Sequence, residues 1–275
     1  MRFPLAPAHA ARLIVALSKR AEWKAIHKAA DAYLEPSRKA ILKAFMKGRD
    51  SINQTALKIA LTTMNEKKVV TIMSGALEVT EEALRHVLKK MLKQVMLASG
   101  TAAAARLPKK KVLALRTLAP EIKGFKFDVT NPQAVEWITS HAGELITGIS
   151  ESTREDIVDL VEAAFEEQFD VDDLADRISE LIGDESRAET IARTETMRAS
   201  NEGQSQLWDQ AVEEGLLTGA EKQVWITTPD DRLCPICEPM DGVTTTLDGT
   251  FDVDGDEIDG PPAHPNCRCT IGLGV

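Results

Sequence analysis

All four cysteines of this chain fall within one short C-terminal stretch, as Cys234, Cys237, Cys267 and Cys269. Cys234 and Cys237 have Cys-x2-Cys spacing with Pro235 between them, the shape of a zinc knuckle, in which a tight turn aims two thiolates at one point. His264, Cys267 and Cys269 form the second group. A tetrahedral structural zinc takes four Cys or His ligands, so five candidates compete for four places. The spacing favours Cys234, Cys237 and Cys269, with His264 or Cys267 as the fourth. If residues 267–270 are extended, Cys267 and Cys269 project to the same side and both could bind together. Two disulfides, whose pairing a sequence does not fix, or free thiols are the alternatives. A closed four-ligand site is structural, because a catalytic one keeps a position open for water. No general base stands beside the cluster, so no catalytic residue is expected and zinc is expected in a structural role.

The elements that must hold such a cluster follow from composition and periodicity. The chain has 275 residues, enough for one large or two ordinary domains, and is 43% hydrophobic, so it can bury a core. Aromatic residues make up only 4%, which suits helix packing by Ala, Leu, Ile and Met better than a large β-sandwich. No segment approaches the roughly 18 uninterrupted apolar residues of a membrane helix. The run from Leu13 to Leu17 is too short for a signal-peptide core. A reducing compartment is therefore expected, which favours a thiolate–metal site over disulfides.

Charge divides the chain. Residues 1–130 carry 25 Lys and Arg against 10 Asp and Glu, whereas residues 131–275 carry 8 against 33. Such asymmetry suggests two surfaces with different partners, and a basic half would suit nucleic acid or an acidic protein surface. Mutual attraction of the halves, or two solvated faces, is the plainer reading. Arg106, Lys109, Lys110 and Lys111 form a small basic cluster in what reads as an exposed connection or the end of the Ala-rich helix.

Helical spacing recurs through residues 8–218. Leu13, Leu17, Ile26 and Ala30 mark a first helix that Pro36 is expected to end. Ser37 would cap a second, carrying Ile41 and Phe45, and the pattern resumes after Gly48 at Ile52 and Ile59. Leu77, Leu84, Leu88, Met91 and Leu92 mark another, with a start signal at Thr80. Asn131 caps a helix opening at Pro132, and a separate helix is expected from Ser150 to Phe169. Asp170 or Asp172 caps a short helix ended by Gly183, and a long helix runs from Glu185 to about Glu214. It carries the polar row Arg193, Glu195, Arg198 and Asn201, read as a structural brace for the cysteine-bearing end. After Gly219 the pattern turns to strands: 224–228, 243–247 and 250–253, the last two expected to form a hairpin around Asp248-Gly249. The insert Asp248–Asp259 is acidic but lacks the calcium-loop pattern. The fold class is thus mainly α, with long helices in the N-terminal and middle regions and a small C-terminal α+β zinc-knuckle-like subdomain. The expected domains are 1–124, a basic helical arm; 125–218, a helical core; and 219–275, the metal-binding subdomain.

The runs NPQAVEWITSHAGELITGISESTREDI, FDVDDLADRI, RAETIARTETMRASNEG, TPDDRLCPICEPMDG and PPAHPNCRCT, in that order, resemble the phage Mu F-like minor head protein family, also called phage head morphogenesis proteins. The resemblance covers roughly residues 125–270; the first 124 residues resemble nothing nameable. It implies a structural virion component of a tailed bacteriophage, in the head interior or at the portal vertex, assembled in the host bacterial cytoplasm. It further implies association with the portal protein and action in head morphogenesis and in DNA packaging or ejection. Major capsid protein or scaffold, and phage DNA through the basic half, are further candidate partners; a membrane is not. Two other classes stay open: a metal-assisted nuclease, against which the absent water site and general base weigh, and a DNA-binding module, which salt-dependent DNA retention would reveal.

Overall fold

The computed structural model describes residues 7–63, 65–107, 125–167 and 170–274. Among them the α-helices are α1 (Pro7–Asp50), α2 (Gln54–Thr62), α3 (Glu66–Ala104), α4 (Pro132–Glu167), α5 (Val171–Ile182) and α6 (Glu185–Glu213). The strands β1 (Lys222–Ile226), β2 (Thr244–Thr246), β3 (Phe251–Val253), β4 (Asp256–Ile258) and β5 (Thr270–Gly274) follow. The fold is mainly α with a small C-terminal β region, as the sequence predicts.

Three helices run longer than expected. α1 continues through Pro36. Proline removes one backbone hydrogen bond from a helix interior, but Ile26 and Ala30 before it and Ser37, Ile41 and Phe45 after it are all buried. That continuous stripe outweighs the local break, since most helix stability in proteins comes from packing. In α3, Thr80 is not a start: its buried hydroxyl donates to the Ala76 carbonyl, 3.0 Å away, within a helix already running. In α4, the expected break before Ser150 is absent. The hydroxyls of Ser152 and Thr153 donate back to the Gly148 and Ile149 carbonyls at 2.8 and 2.7 Å, and buried Ile146, Ile149, Thr153 and Ile157 form one face. Ser37, expected to cap a second helix, lies buried inside α1. Three other caps form as expected: Asn131 Oδ1 accepts from Ala134 N at 2.8 Å, the Asp170 side chain accepts from Asp172 N, and Gly183 closes α5.

Two compact units arise from these elements. The first comprises the described parts of Met1–Leu34, Lys93–Ala134 and Arg193–Val275; the second comprises Glu35–Leu92 and Val135–Ala192. Their limits cut across the three sequence segments 1–124, 125–218 and 219–275. In the second unit, Leu57, Met73, Ile157 and Ile178 belong to one apolar core. Gly48 permits close packing there, because a Cβ at that position would fall 1.8 Å from Thr80 Oγ1. Arg187 ties α6 to α4 in the same unit, donating to Thr153 Oγ1 at 2.7 Å and the Ile149 carbonyl at 3.0 Å. In the first unit, Gly203 lets α6 meet α3, since a Cβ would lie 2.4 Å from the Met96 carbonyl. The Ser99 hydroxyl donates to Ser200 Oγ beside it at 2.8 Å.

Arg106 lies in this first unit, just past the end of the Ala-rich helix α3, and is half-buried. Burial pushes its guanidinium below its ordinary range, and the Glu22 carboxylate opposes that shift. Lys109, Lys110 and Lys111 lie outside the described residues.

The β region differs from expectation at its hairpin. β2 and β5 flank β1 in one antiparallel sheet, while β3 pairs with β4 in another. The runs joined by Asp248-Gly249 therefore belong to different sheets. The two-residue hairpin forms instead at Asp254-Gly255, where φ is 57° and 94°. Positive φ at both loop residues is what a tight hairpin matching strand twist requires. The Gly249 carbonyl instead accepts from Gln223 Nε2 at 2.9 Å. Trp225 and Phe251, both fully buried, meet edge-to-face with ring centroids 5.3 Å apart.

Candidate metal centre

Strand register brings the two cysteine groups together. Ile226 at the end of β1 pairs with Thr270 at the start of β5. The chain leaving β1 therefore turns through Cys234–Cys237 beside the segment 264–269 that enters β5. The first group is set by a tight turn, with Cys237 N and Glu238 N donating to the Cys234 carbonyl at 3.1 and 3.0 Å. Cys237 N also points at Cys234 Sγ, 3.3 Å away. In the second group, Cys267 N donates to the His264 carbonyl at 3.2 Å. Asn266 takes the left-handed conformation, φ 62°, that this turn needs and that Asn tolerates. Its N–H donates to Thr194 Oγ1 on α6 at 2.9 Å.

All five predicted ligands converge. They form two overlapping groups, Cys234–Cys237–His264 and Cys237–Cys267–Cys269, each with ligand atoms within 4.8 Å of one another. Cys237 is common to both. His264 Nε2 lies 3.0 Å from Cys234 Sγ and 3.3 Å from Cys237 Sγ. His264 Nδ1 lies 2.9 Å from the Pro265 carbonyl, a contact in which Nδ1–H donates, so that Nε2 is the nitrogen facing the sulfurs and available to a metal. Cys237, Cys267 and Cys269 are buried, and all four cysteines are free thiols.

The electrostatics also favour a cation. Hydrogen bonds from the Cys237 and Cys269 thiols push Cys267 down to about 2. Cys237 moves the opposite way, because its proton is held by Cys267 and Cys269 and because it is buried. Three crowded sulfurs can all ionise only if a positive charge joins them. Burial would raise the Cys234 thiol, but the Cys237 amide and His264 outweigh it and hold that thiol below its usual range. The Cys237–Cys267 Sγ separation of 3.7 Å matches the edge of about 3.8 Å in a tetrahedron with ~2.3 Å zinc–sulfur bonds. The donor set fits zinc: soft thiolates plus one imidazole, with proximal residues at the right separations.

The polar row on α6 reaches this loop at two of its members. Asn201 Nδ2 donates to the Pro261 carbonyl at 2.7 Å, and its Oδ1 accepts from Thr270 Oγ1 at 2.6 Å and Ile271 N at 3.3 Å. Arg193 Nη1 donates to Asn266 Oδ1 at 3.3 Å. Glu195 is buried and pairs with Arg198 at 3.5 Å.

Several supports carry no motif and were not read from sequence. Trp23 Nε1 donates to the Arg268 carbonyl at 2.9 Å, and His27 Nε2 lies 3.0 Å from the same oxygen. The two rings stack with centroids 3.8 Å apart. The Arg268 guanidinium clasps Asp230 at 2.5 and 2.9 Å. The i, i+4 spacing of Trp23 and His27 was the available signal; it marks one helix face but not what the face meets. The acidic insert contributes no ligand to either group.

Residues 155–272 match the family model described as Phage Mu protein F like protein. The match bears out the resemblance for the motifs from residue 155 onward; most of the first run, residues 131–154, lies before it. The matched segment contains all five metal candidates, the polar row and strands β1 to β4, and ends within β5. No curated protein and no solved structure matches the chain.

Proposed function

We propose that this chain is a structural minor head protein of a tailed bacteriophage, associated with the portal and acting in head morphogenesis and in DNA packaging or ejection. The observation that carries this reading is the phage Mu F-like match over residues 155–272. In this reading the protein is a virion component that assembles in the host cytoplasm and works by position. Four of Cys234, Cys237, His264, Cys267 and Cys269 would hold a zinc ion, which would supply a structural crosslink and no turnover. The residues around it are arranged to hold shape: Asp230–Arg268, Asn201 and the Trp23–His27 pair all fix the backbone of the cluster. No helix among the described residues is long and apolar enough to cross a membrane.

The test is to follow the full-length protein into heads. Phage carrying Cys237→Ala should yield heads depleted of this protein and poorly infectious. Crosslinking of wild-type heads should join it to the portal. Wild-type incorporation of the Cys237 variant, or a crosslink pattern that omits the portal, contradicts the corresponding half of the proposal. Metal-dependent nuclease activity of the purified protein that is lost in a well-folded His264→Ala variant would replace it with the enzyme reading.

A further inference from the structure

The core of the second unit is open along one side. Between α3 and α4 lies a groove of about 700 Å³ whose floor includes Leu61, Met73, Leu77 and Ile157. Val70 and Val158 form part of its lining although they are 62% and 53% exposed. A single exposed valine means little, but two on opposite walls of one apolar groove mark a binding surface. The rim is charged on one side. Arg154, Val158, Val161 and Glu162 line the groove from α4, and helical spacing places Glu151 and Glu155 along the same solvent edge as Glu162. All three glutamates are exposed. Arg154 is the only cation in the lining.

We propose that this groove seats a lysine-rich amphipathic helix of a partner protein. The lining runs from Val69 to Leu77 on α3 and from Arg154 to Glu162 on α4. At about 1.5 Å per residue that is roughly two helical turns, which fits apolar anchors at i, i+4 and i+7. The floor supplies the attraction by burial of apolar area. The glutamate rim selects lysine on the flank of the incoming helix and disfavours an acidic one.

Full-length protein would be titrated into two labelled synthetic helices, followed by fluorescence anisotropy. Both carry a leucine stripe; one has lysine flanks and the other glutamate flanks. The lysine peptide should bind at least about tenfold more tightly. Val158→Glu should abolish that binding with unchanged circular dichroism, and the double change Glu155→Lys, Glu162→Lys should erase the preference for lysine flanks. Equal affinity for the two peptides, no binding of either, or binding untouched by Val158→Glu would overturn the proposal. So would a sedimenting dimer of the protein alone that Val158→Glu dissolves, since the occupant would then be a second copy.

Discussion

Cys237 is the residue on which the cluster converges, because it is shared by both groups of ligand atoms. Protein purified under reducing conditions is expected to carry about one zinc per chain by elemental analysis. Cys237→Ala is expected to lose the metal and to make residues 224–270 protease-sensitive, because binding free energy in a small site is folding free energy. A Cys237→Ala protein with full zinc occupancy would remove Cys237 from the ligand set. The polar row makes a second, graded prediction. Asn201 is buried and satisfies the Pro261 carbonyl, the Thr270 hydroxyl and the Ile271 amide. Asn201→Ala should cost about 3 kcal/mol, since several buried polar groups lose their partner. Arg198 is over a third exposed and its bond to Glu195 is long at 3.5 Å, so solvent screening should limit Arg198→Ala to about 1 kcal/mol or less. Chemical denaturation of the zinc-loaded variants gives the order; equal losses would mean that Arg198 carries more of the brace than its geometry allows.

At the scale of elements, the N-terminal helix and the last strand are tied where the half-buried Glu22 carboxylate meets the Leu273 amide. Burial raises the Glu22 carboxyl above its ordinary 4.5, against the Arg106 guanidinium and the Leu273 amide that favour its charge. Between 4.5 and that raised value the folded state holds a proton that the unfolded state has released. Stability should therefore fall as pH rises through this window and level off above it. Glu22→Gln should remove that slope; an unchanged pH profile would show that Glu22 is solvated. The long α1 makes a different prediction. Pro36 sits inside it at an exposed position, where an interior proline costs about 3 kcal/mol relative to alanine. Pro36→Ala should raise the unfolding free energy, measured by denaturant titration, by about 1–3 kcal/mol. A loss of stability would mean that the helix depends on the distortion that proline imposes.

At the scale of the whole molecule, the C-terminal region does not stand alone. The unit that contains the metal candidates also contains described parts of Met1–Leu34 and Lys93–Ala134. Removing residues 1–124 would strip Trp23 and His27 from the Arg268 carbonyl and Met96 from Gly203. A fragment of residues 125–275 should therefore expose apolar surface and bind a hydrophobic dye, although the family match lies wholly inside it. A cooperative thermal transition of that fragment, with no dye binding, would contradict this. Experiments on head incorporation accordingly need the full chain with point substitutions.

Much of the site was legible in the sequence because its ligands are close along the chain. Cys234–Cys237 and His264–Cys269 each lie within one turn, so residue type and spacing alone identify them. Asn131, Asp170 and Gly183 were legible as caps for the same reason, since a cap is a contact across two to four residues. What lay beyond reach were decisions made by distant partners. Pro36 reads as a helix end until the buried stripe on either side of it is seen. Asp248-Gly249 and Asp254-Gly255 are equally good turn signals, and strand pairing with β1 chose the second. Trp23 and His27 carry no motif at all; their role follows only from meeting Arg268 more than 240 positions later. Local chemistry determined the elements and the cluster, while packing across the chain decided where helices end, which turn forms a hairpin and what holds the cluster in place.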